Sequence, residues 1–308
     1  MTTAFAPWSL AYKAEHLQRT ASFKLRGALN RLMCLSEAEK ARGVVTASTG
    51  NHGIGVATAG QLLGVSVTVF VASRTDVDIV HRLQSLGASV QIIESTDCVD
   101  AERVARRAAA DGAKTFVSPY NDPLVVSGQG TIAVELVQQL ADVGWSLEST
   151  ANNRLDAVVV AVGGGGLISG IATFLASVAP HVRVIAAQPA ADDAMHASVN
   201  AAQIVDISQA TRHTLSHSTA GGIEADALTF DICRNSSLIH QWILVGEEQI
   251  KYAVRTMLKV EHQIIEGAAG VAFAAGCQYL SSHPEARVLV ISCGARLTPA
   301  ELELVLES

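Results

Sequence analysis

The sequence predicts an α/β protein of two lobes, each an open, mostly parallel sheet with flanking helices. Three observations carry this. Short β-branched runs alternate with longer helical patterns, the order of βαβ units. Runs such as Val158 to Val162 are apolar without alternation, as strands buried on both faces are. The 308 residues are 49% hydrophobic, enough for a large core, and neither a Pro/Ser linker nor a repeat of fixed period divides them.

In chain order, a helix is expected to open around Lys24, followed by a strand in "GVVTAS" and a helix in "NHGIGVATAGQLLG". Strand, helix and strand follow in "VSVTVFVA", "VDIVHRLQSLGA" and "SVQIIES"; then come a helix in "AERVARRAAADGA" and a strand in "TFVSP". The pattern resumes with strand "LDAVVVAVG", helix "LISGIATFLASVA" and strand "VRVIAAQP". It closes with helices "EQIKYAVRTMLKVEH" and "AAGVAFAAGCQYL", strand "ARVLVISCG" and a short helical tail. The seams are expected near Val44 and between Pro119 and Pro123. They divide the chain into a larger lobe of residues 1–43 and 123–308 and a smaller inserted lobe of residues 44–122. Ligands of open parallel sheets bind beyond the strand C-termini, so the cleft between lobes is the expected site.

Composition excludes several classes. Only 17% of residues are charged and the net charge is −7, with no basic stripe, which argues against a nucleic acid partner. Five scattered cysteines without metal spacing suit a reducing compartment, and the N-terminus shows no secretory signal, so a cytoplasmic protein is expected. Residues 157–179 carry no charge and are long enough to span a bilayer. Four glycines in their middle would weaken a spanning helix by ~1 kcal/mol each, so strand, turn and helix is the expected reading and no membrane contact is anticipated.

Two glycine-rich turns carry chemistry. Gly163, Gly164, Gly165 and Gly166 follow a strand and precede a helix near Leu167, so successive backbone N–H groups at a helix start form a cradle for a phosphate. A dinucleotide site would want an acid at the end of the next strand, where Gln188 stands, and no P-loop motif is present; a compact cofactor with one phosphate is preferred. "ASTGNHG", residues 47–53, also joins a strand to a helix. Ser48, Thr49, Asn51 and the helix-start N–H groups suit a substrate carboxylate, or a plain helix cap; His52 alone reads as packed or capping.

Lys24 stands apart from the other five lysines. Lys13 lies beside Glu15, Lys40, Lys251 and Lys259 fall in charged helical patterns, and Lys114 is in a loop. A lysine held against Phe23, together with a compact phosphate-bearing cofactor, suggests a Schiff base to an aldehyde. Pyridoxal 5′-phosphate carries both groups. At the end of the last strand, "VISCGAR" offers Ser292 or Cys293 to its ring nitrogen, and either neutral partner makes the ring a weaker electron sink and favours elimination.

With these motifs in this order, the chain resembles the fold type II pyridoxal phosphate enzymes, those with the fold of the tryptophan synthase β-subunit, and in particular the serine/threonine dehydratases and serine racemases. "SFKLRGA", "STGNHG", "GGGGLISGIA" and "SCG" carry the resemblance over nearly the whole chain. It implies that Lys24 bears the cofactor and Phe23 packs on its ring. It also implies that Asn51 meets the phenolic oxygen, residues from Gly163 to Leu167 bind the phosphate, and Cys293, aligning better than Ser292, faces the ring nitrogen. Ser48, Thr49, Asn51 and His52 would grip the substrate carboxylate. The implied reaction is loss of water from L-threonine or L-serine to give a 2-oxo acid and ammonia, with Lys24 as the base, by a homodimer.

Thr49 stands where serine racemases use a serine hydroxyl, so racemase activity is one alternative. "AMHAS" and "GGI" are also similar to dehydratases of hydroxyectoine breakdown, which would put another 3-hydroxy amino acid in the site. A catalytically inactive, cofactor-binding regulatory protein is the alternative of another class. The resemblance leads one to expect a first helix and a "TPL"-like strand ahead of "LAYKAEHLQ", where little of either is found; a truncation is one expectation, which would put stability or lobe closure in question, and with a short tail after "SCGAR" no appended regulatory domain is expected. Gly221 stands where the dehydratases often have aspartate. Gln188 replaces the Glu of metal-binding relatives, Asp192 and Asp193 read as exposed loop acids, and His213 and His217 lack a third ligand; no metal is expected.

Overall fold

The computed structural model describes residues 1–96, 98–205 and 213–307. Its first elements are β1 (Leu10–Lys13), α1 (Lys24–Met33), α2 (Glu37–Arg42), β2 (Val44–Ala47), α3 (Asn51–Leu63), β3 (Val67–Ala72) and α4 (Val77–Ser85). Then come β4 (Ser89–Ile93), α5 (Cys98–Asp111), β5 (Thr115–Phe116), α6 (Pro123–Gln139), β6 (Ala157–Ala161), α7 (Gly166–Val178) and β7 (Arg183–Pro189). The last are α8 (Ala194–Asn200), α9 (Leu228–Cys233), β8 (Gln241–Val245), α10 (Glu247–Val260), α11 (Gly267–Ser282), β9 (Val288–Ile291) and α12 (Pro299–Leu306).

The chain forms two compact units. The larger comprises Met1–Leu17 and Gly130–Ser308, the smaller Gln18–Gln129. Each holds one parallel sheet: β1-β9-β6-β7-β8 in the larger and β4-β3-β2-β5 in the smaller. This is the α/β architecture expected of the sequence.

In the larger unit every residue of β6 is buried, with Val159 paired to Ile185 on one side and Val290 on the other. A central parallel strand covered on both faces needs that unbroken apolar run. α11 is buried almost all round. Its small residues let it lie close to its neighbours: a Cβ on Gly276 would stand 3.0 Å from Val290 Cγ2, and one on Gly270 2.7 Å from Val254 Cγ2 of α10. α10 contributes Ile250, Ala253, Val254 and Met257, one stripe of an amphipathic helix.

In the smaller unit one core joins Leu25, Ala28 and Leu32 of α1 to Val56 and Ala59 of α3 and to Val44, Val67 and Val69 of the sheet. Residues 18–43 therefore pack here, whereas the seam expected near Val44 would put them in the larger lobe. The reason is the apolar face of α1, residues 25, 28 and 32, which is covered by α3.

The structure adds elements the sequence patterns did not announce. β1 and β8 are the edge strands of the larger sheet, each only four or five residues long, and α6 has no strongly one-sided apolar face. The charge-free stretch 157–179 divides into β6, the glycine bend and α7, whose 13 residues extend about 20 Å. Among the described residues no helix is long and apolar enough to cross a membrane.

Candidate active site

Lys24 is the first residue of α1 and half-buried. Its Nζ lies 5.1 Å from the centroid of the Phe23 ring and donates to the Pro119 carbonyl at 3.0 Å. A second helix meets it from behind. A Cβ on Gly55 of α3 would stand 3.1 Å from the Lys24 carbonyl carbon and 3.2 Å from its oxygen, so the two helices touch backbone to backbone.

The turn before α3 is shaped by close approaches. Gly50 N donates to Ser48 Oγ at 3.1 Å, and a Cβ on Gly53 would come within 2.8 Å of Ser48 O, so the turn folds back on the helix start. Ser48 and Thr49 are half-buried; Asn51 and His52 are buried. The N–H groups of the first helical turn have no intrahelical acceptor, which leaves them suited to an anion.

His52 is committed to the protein interior. Its Nε2 donates to Val117 O at 3.0 Å, which makes Nδ1 the unprotonated nitrogen. Burial, and then the nearby Lys24 charge, push its pKa down to about 3, so the ring is neutral at any ordinary pH.

The loop after β5 gathers these groups. Thr46 Oγ1 also donates to Val117 O, at 2.9 Å; Ser118 Oγ accepts from Asn121 N at 2.9 Å; and Arg31 Nε donates to Asp122 Oδ2 at 2.7 Å. Pro119, which no motif marked, thus holds the Lys24 ammonium from a loop pinned on both sides. Its part rests on a backbone carbonyl, which leaves no mark in sequence.

The larger unit holds the second glycine turn. Gly163 to Gly166 lead from β6 into α7, with Leu167 buried in its first turn. Gly165 has φ +84°, in the left-handed region that glycine alone enters without strain, and a Cβ on Gly163 would stand 3.0 Å from Thr219 Cα. The turn is braced from α9, where Thr229 Oγ1 donates to Gly164 O at 2.6 Å.

At the end of β9, Ser292 and Cys293 are both buried. The Ser292 backbone is fully engaged: its N–H donates to Lys13 O at 3.0 Å and its carbonyl accepts from His16 N at 2.9 Å. Its Oγ, buried in a residue that is 0% exposed, has no hydrogen-bond partner among the described residues. An unsatisfied buried hydroxyl is costly unless a ligand completes it.

The remaining polar candidates are engaged elsewhere. Asp192 is buried rather than exposed; its Oδ2 accepts from Gly221 N at 3.2 Å, which ties the "TAGGI" loop to the end of β7. Asp193 Oδ2 lies 3.2 Å from His196 Nδ1, and exposed His217 pairs with Glu301 at 3.2 Å. Among the described residues no group of three His, Cys, Asp or Glu side chains is gathered to hold a metal.

Known proteins are similar to this chain in sequence and in fold. An L-threonine ammonia-lyase of Geobacter sulfurreducens is 35% identical over 299 residues, 96% of this chain and 69% of that relative. The processed form of threonine deaminase isoform 2 from Solanum lycopersicum superposes with a TM-score of 0.87 at 30% identity, covering 97% of this chain and 78% of that one. A serine racemase from Dictyostelium discoideum superposes with a TM-score of 0.82 at 29% identity, covering 96% and 89%. The family described as pyridoxal-phosphate dependent enzyme matches residues 6–294, and the chain belongs to it.

Proposed function

We propose that this chain is an ammonia-lyase that removes water from L-threonine or L-serine and releases a 2-oxo acid and ammonia. The observation that carries the reading is the placement of Lys24: half-buried at the start of a helix, beside Phe23, with its Nζ on a backbone carbonyl and a neutral histidine as neighbour.

The side chains fit pyridoxal phosphate. Lys24 is the amine for its aldehyde, and the Gly163–Gly166 turn at the start of α7 is the phosphate cradle, with Leu167 behind it. In this reading Phe23 would pack on the ring and Asn51 would meet the phenolic oxygen. For the ring nitrogen, the unsatisfied Ser292 Oγ supports Ser292 over Cys293, because only the former has a buried hydroxyl awaiting a partner. When bound, the cofactor supplies an aldehyde for the substrate amine and a ring that withdraws electrons from the substrate Cα.

The protein supplies the rest. The Lys24 amine takes the α-proton and holds it on Nζ, close to the substrate because α1 and α3 fix its backbone. The turn from Ser48 to Asn51 and the N–H groups opening α3 receive the carboxylate. His52 joins through its backbone, since its ring is spent on Val117 and too weakly basic to compete for the proton. The Ser292 hydroxyl, uncharged at any working pH, keeps the ring nitrogen neutral and so favours elimination over reactions that need a long-lived carbanion.

The test is the visible spectrum of the purified protein, borohydride reduction with peptide mapping, and 2-oxo acid release from L-threonine, L-serine and other 3-hydroxy amino acids. An adduct on Lys24 with turnover supports the reading. A colourless protein that takes up no pyridoxal phosphate overturns it, and an adduct without turnover of any substrate favours a binding protein. A second reading, racemisation, is supported by Thr49, half-buried in the carboxylate turn. D-serine accumulating from L-serine supports it, and absence of D-serine removes it. A homodimer and a cytoplasmic location belong to the same proposal; light scattering tests the first, and the free thiols of Cys34, Cys233, Cys277 and Cys293 suit the second.

A further inference from the structure

The glycine turn does not hold its own shape. Four successive glycines have no side chains to resist rotation of the peptides between them. Among the described residues, a side chain outside the turn holds one of those peptides: Thr229, in the first turn of α9 and 0% exposed, donates its Oγ1–H to Gly164 O at 2.6 Å. In a planar trans peptide the carbonyl and the following N–H point in opposite directions. Drawing Gly164 O toward α9 therefore turns the Gly165 N–H away from α9. The same helix closes that side sterically, since a Cβ on Gly165 would stand 2.9 Å from Cys233 Sγ and 3.0 Å from Thr229 Cβ. With the peptide flipped, the Gly164 carbonyl would face the side where the N–H now points, and its negative end would repel an anion there.

We propose that Thr229 is a positioning residue for the cofactor phosphate: its hydroxyl orients the Gly164–Gly165 peptide so that the Gly165 N–H faces the anion. The proposal rests on the reading of Gly163–Gly166 as the phosphate cradle. Thr229 touches neither cofactor nor substrate in it and acts through the backbone alone.

The experiment compares equilibrium binding of pyridoxal phosphate and of pyridoxal, which lacks the phosphate, to the apo forms of the wild type, Thr229→Val and Thr229→Ser. Thr229→Val is expected to bind pyridoxal phosphate about tenfold more weakly, the size of one lost hydrogen bond, and to bind pyridoxal as the wild type does. Thr229→Ser keeps the hydroxyl and should stay within about twofold of the wild type for both. Equal affinity of the valine variant and the wild type for pyridoxal phosphate, or an equal loss for pyridoxal, overturns the proposal. A wild type that binds pyridoxal phosphate no more tightly than pyridoxal instead overturns the phosphate-cradle reading beneath it. Should Thr229→Val not fold, Thr229→Ala makes the same comparison. If neither folds while the serine variant does, the hydroxyl supports the whole unit rather than the cradle, and the proposal fails.

Discussion

Gly55 of α3 and Lys24 of α1 meet backbone to backbone, at a distance that leaves 3.1 Å between a Cβ on Gly55 and the Lys24 carbonyl carbon. Alanine within a helix is ordinarily favoured over glycine by ~1 kcal/mol. Here the methyl group would press on Lys24 C and O and on Leu25 N, main-chain atoms that cannot rotate aside. Gly55→Ala is therefore expected to lower stability by ~1–2 kcal/mol, as overpacking does, and to reduce kcat by displacing the lysine. Denaturant unfolding and steady-state kinetics check both; a variant more stable than the wild type would show that α1 yields freely.

Lys24→Ala should remove the base and the amine for the aldehyde together. Turnover is expected to fall by at least ~10³-fold, toward the level of lost nucleophilic and acid–base contributions, while the folded state survives because the side chain is only half-buried. Circular dichroism, 2-oxo acid release and the loss of the borohydride adduct are the three readings.

Ser292→Ala separates two effects with opposite signs. In the apo protein it deletes a buried hydroxyl without a partner among the described residues, so stability should be unchanged or rise by up to ~1 kcal/mol. In the holo protein it deletes the partner proposed for the ring nitrogen, so cofactor affinity and kcat should both fall. Cys293→Ala should alter neither cofactor affinity nor the visible spectrum. Thermal melts with and without pyridoxal phosphate distinguish the pair, and a holo-specific loss in Cys293→Ala alone would return the assignment to the cysteine.

His52 makes stability depend on pH. Its pKa is near 3 when folded, below the ordinary value of 6.5, so between those limits the unfolded chain binds the extra proton. The stabilisation from keeping the ring neutral is present in full above pH 6.5 and is lost as pH falls toward 3, at up to ~1.4 kcal/mol per unit. Burial also lowers the pKa values of His16, His181 and His240, so the whole-protein slope is shared. His52→Gln is expected to be less stable than the wild type at pH 8, with a gap that stays constant down to about pH 6.5 and narrows as the pH falls from there to 4. Urea midpoints across that range give the measurement, and a gap independent of pH would mean that His52 does not titrate with unfolding.

Some of the site was legible because its chemistry requires rare residue patterns. A four-glycine turn after "AVVVAV" announces itself, since glycine costs stability wherever its freedom is unused, and the unbroken apolar run before it announces a strand buried on both faces. Lys24 stood out by elimination against five lysines with ordinary surroundings. The place of residues 18–43 was less legible: Leu25, Ala28 and Leu32 mark α1 as one-sided, but nothing local says that α3 is the partner. β1 and β8 were missed because edge strands of four or five residues carry too short a pattern to separate from loop.

The sequence alone determined the alternation of strands and helices, the two glycine turns and the candidate lysine, because each depends on composition within a few neighbouring residues. Tertiary structure alone decided that Pro119 receives the Lys24 ammonium, that the His52 ring turns inward to Val117, that the Ser292 hydroxyl is left without a partner among the described residues, and that Thr229 grips Gly164. In the three hydrogen bonds the acceptor is a backbone carbonyl, which every residue possesses, and the unsatisfied hydroxyl is defined by what packs around it. Only the folding of distant segments onto one another picks out which carbonyl and which hydroxyl matter.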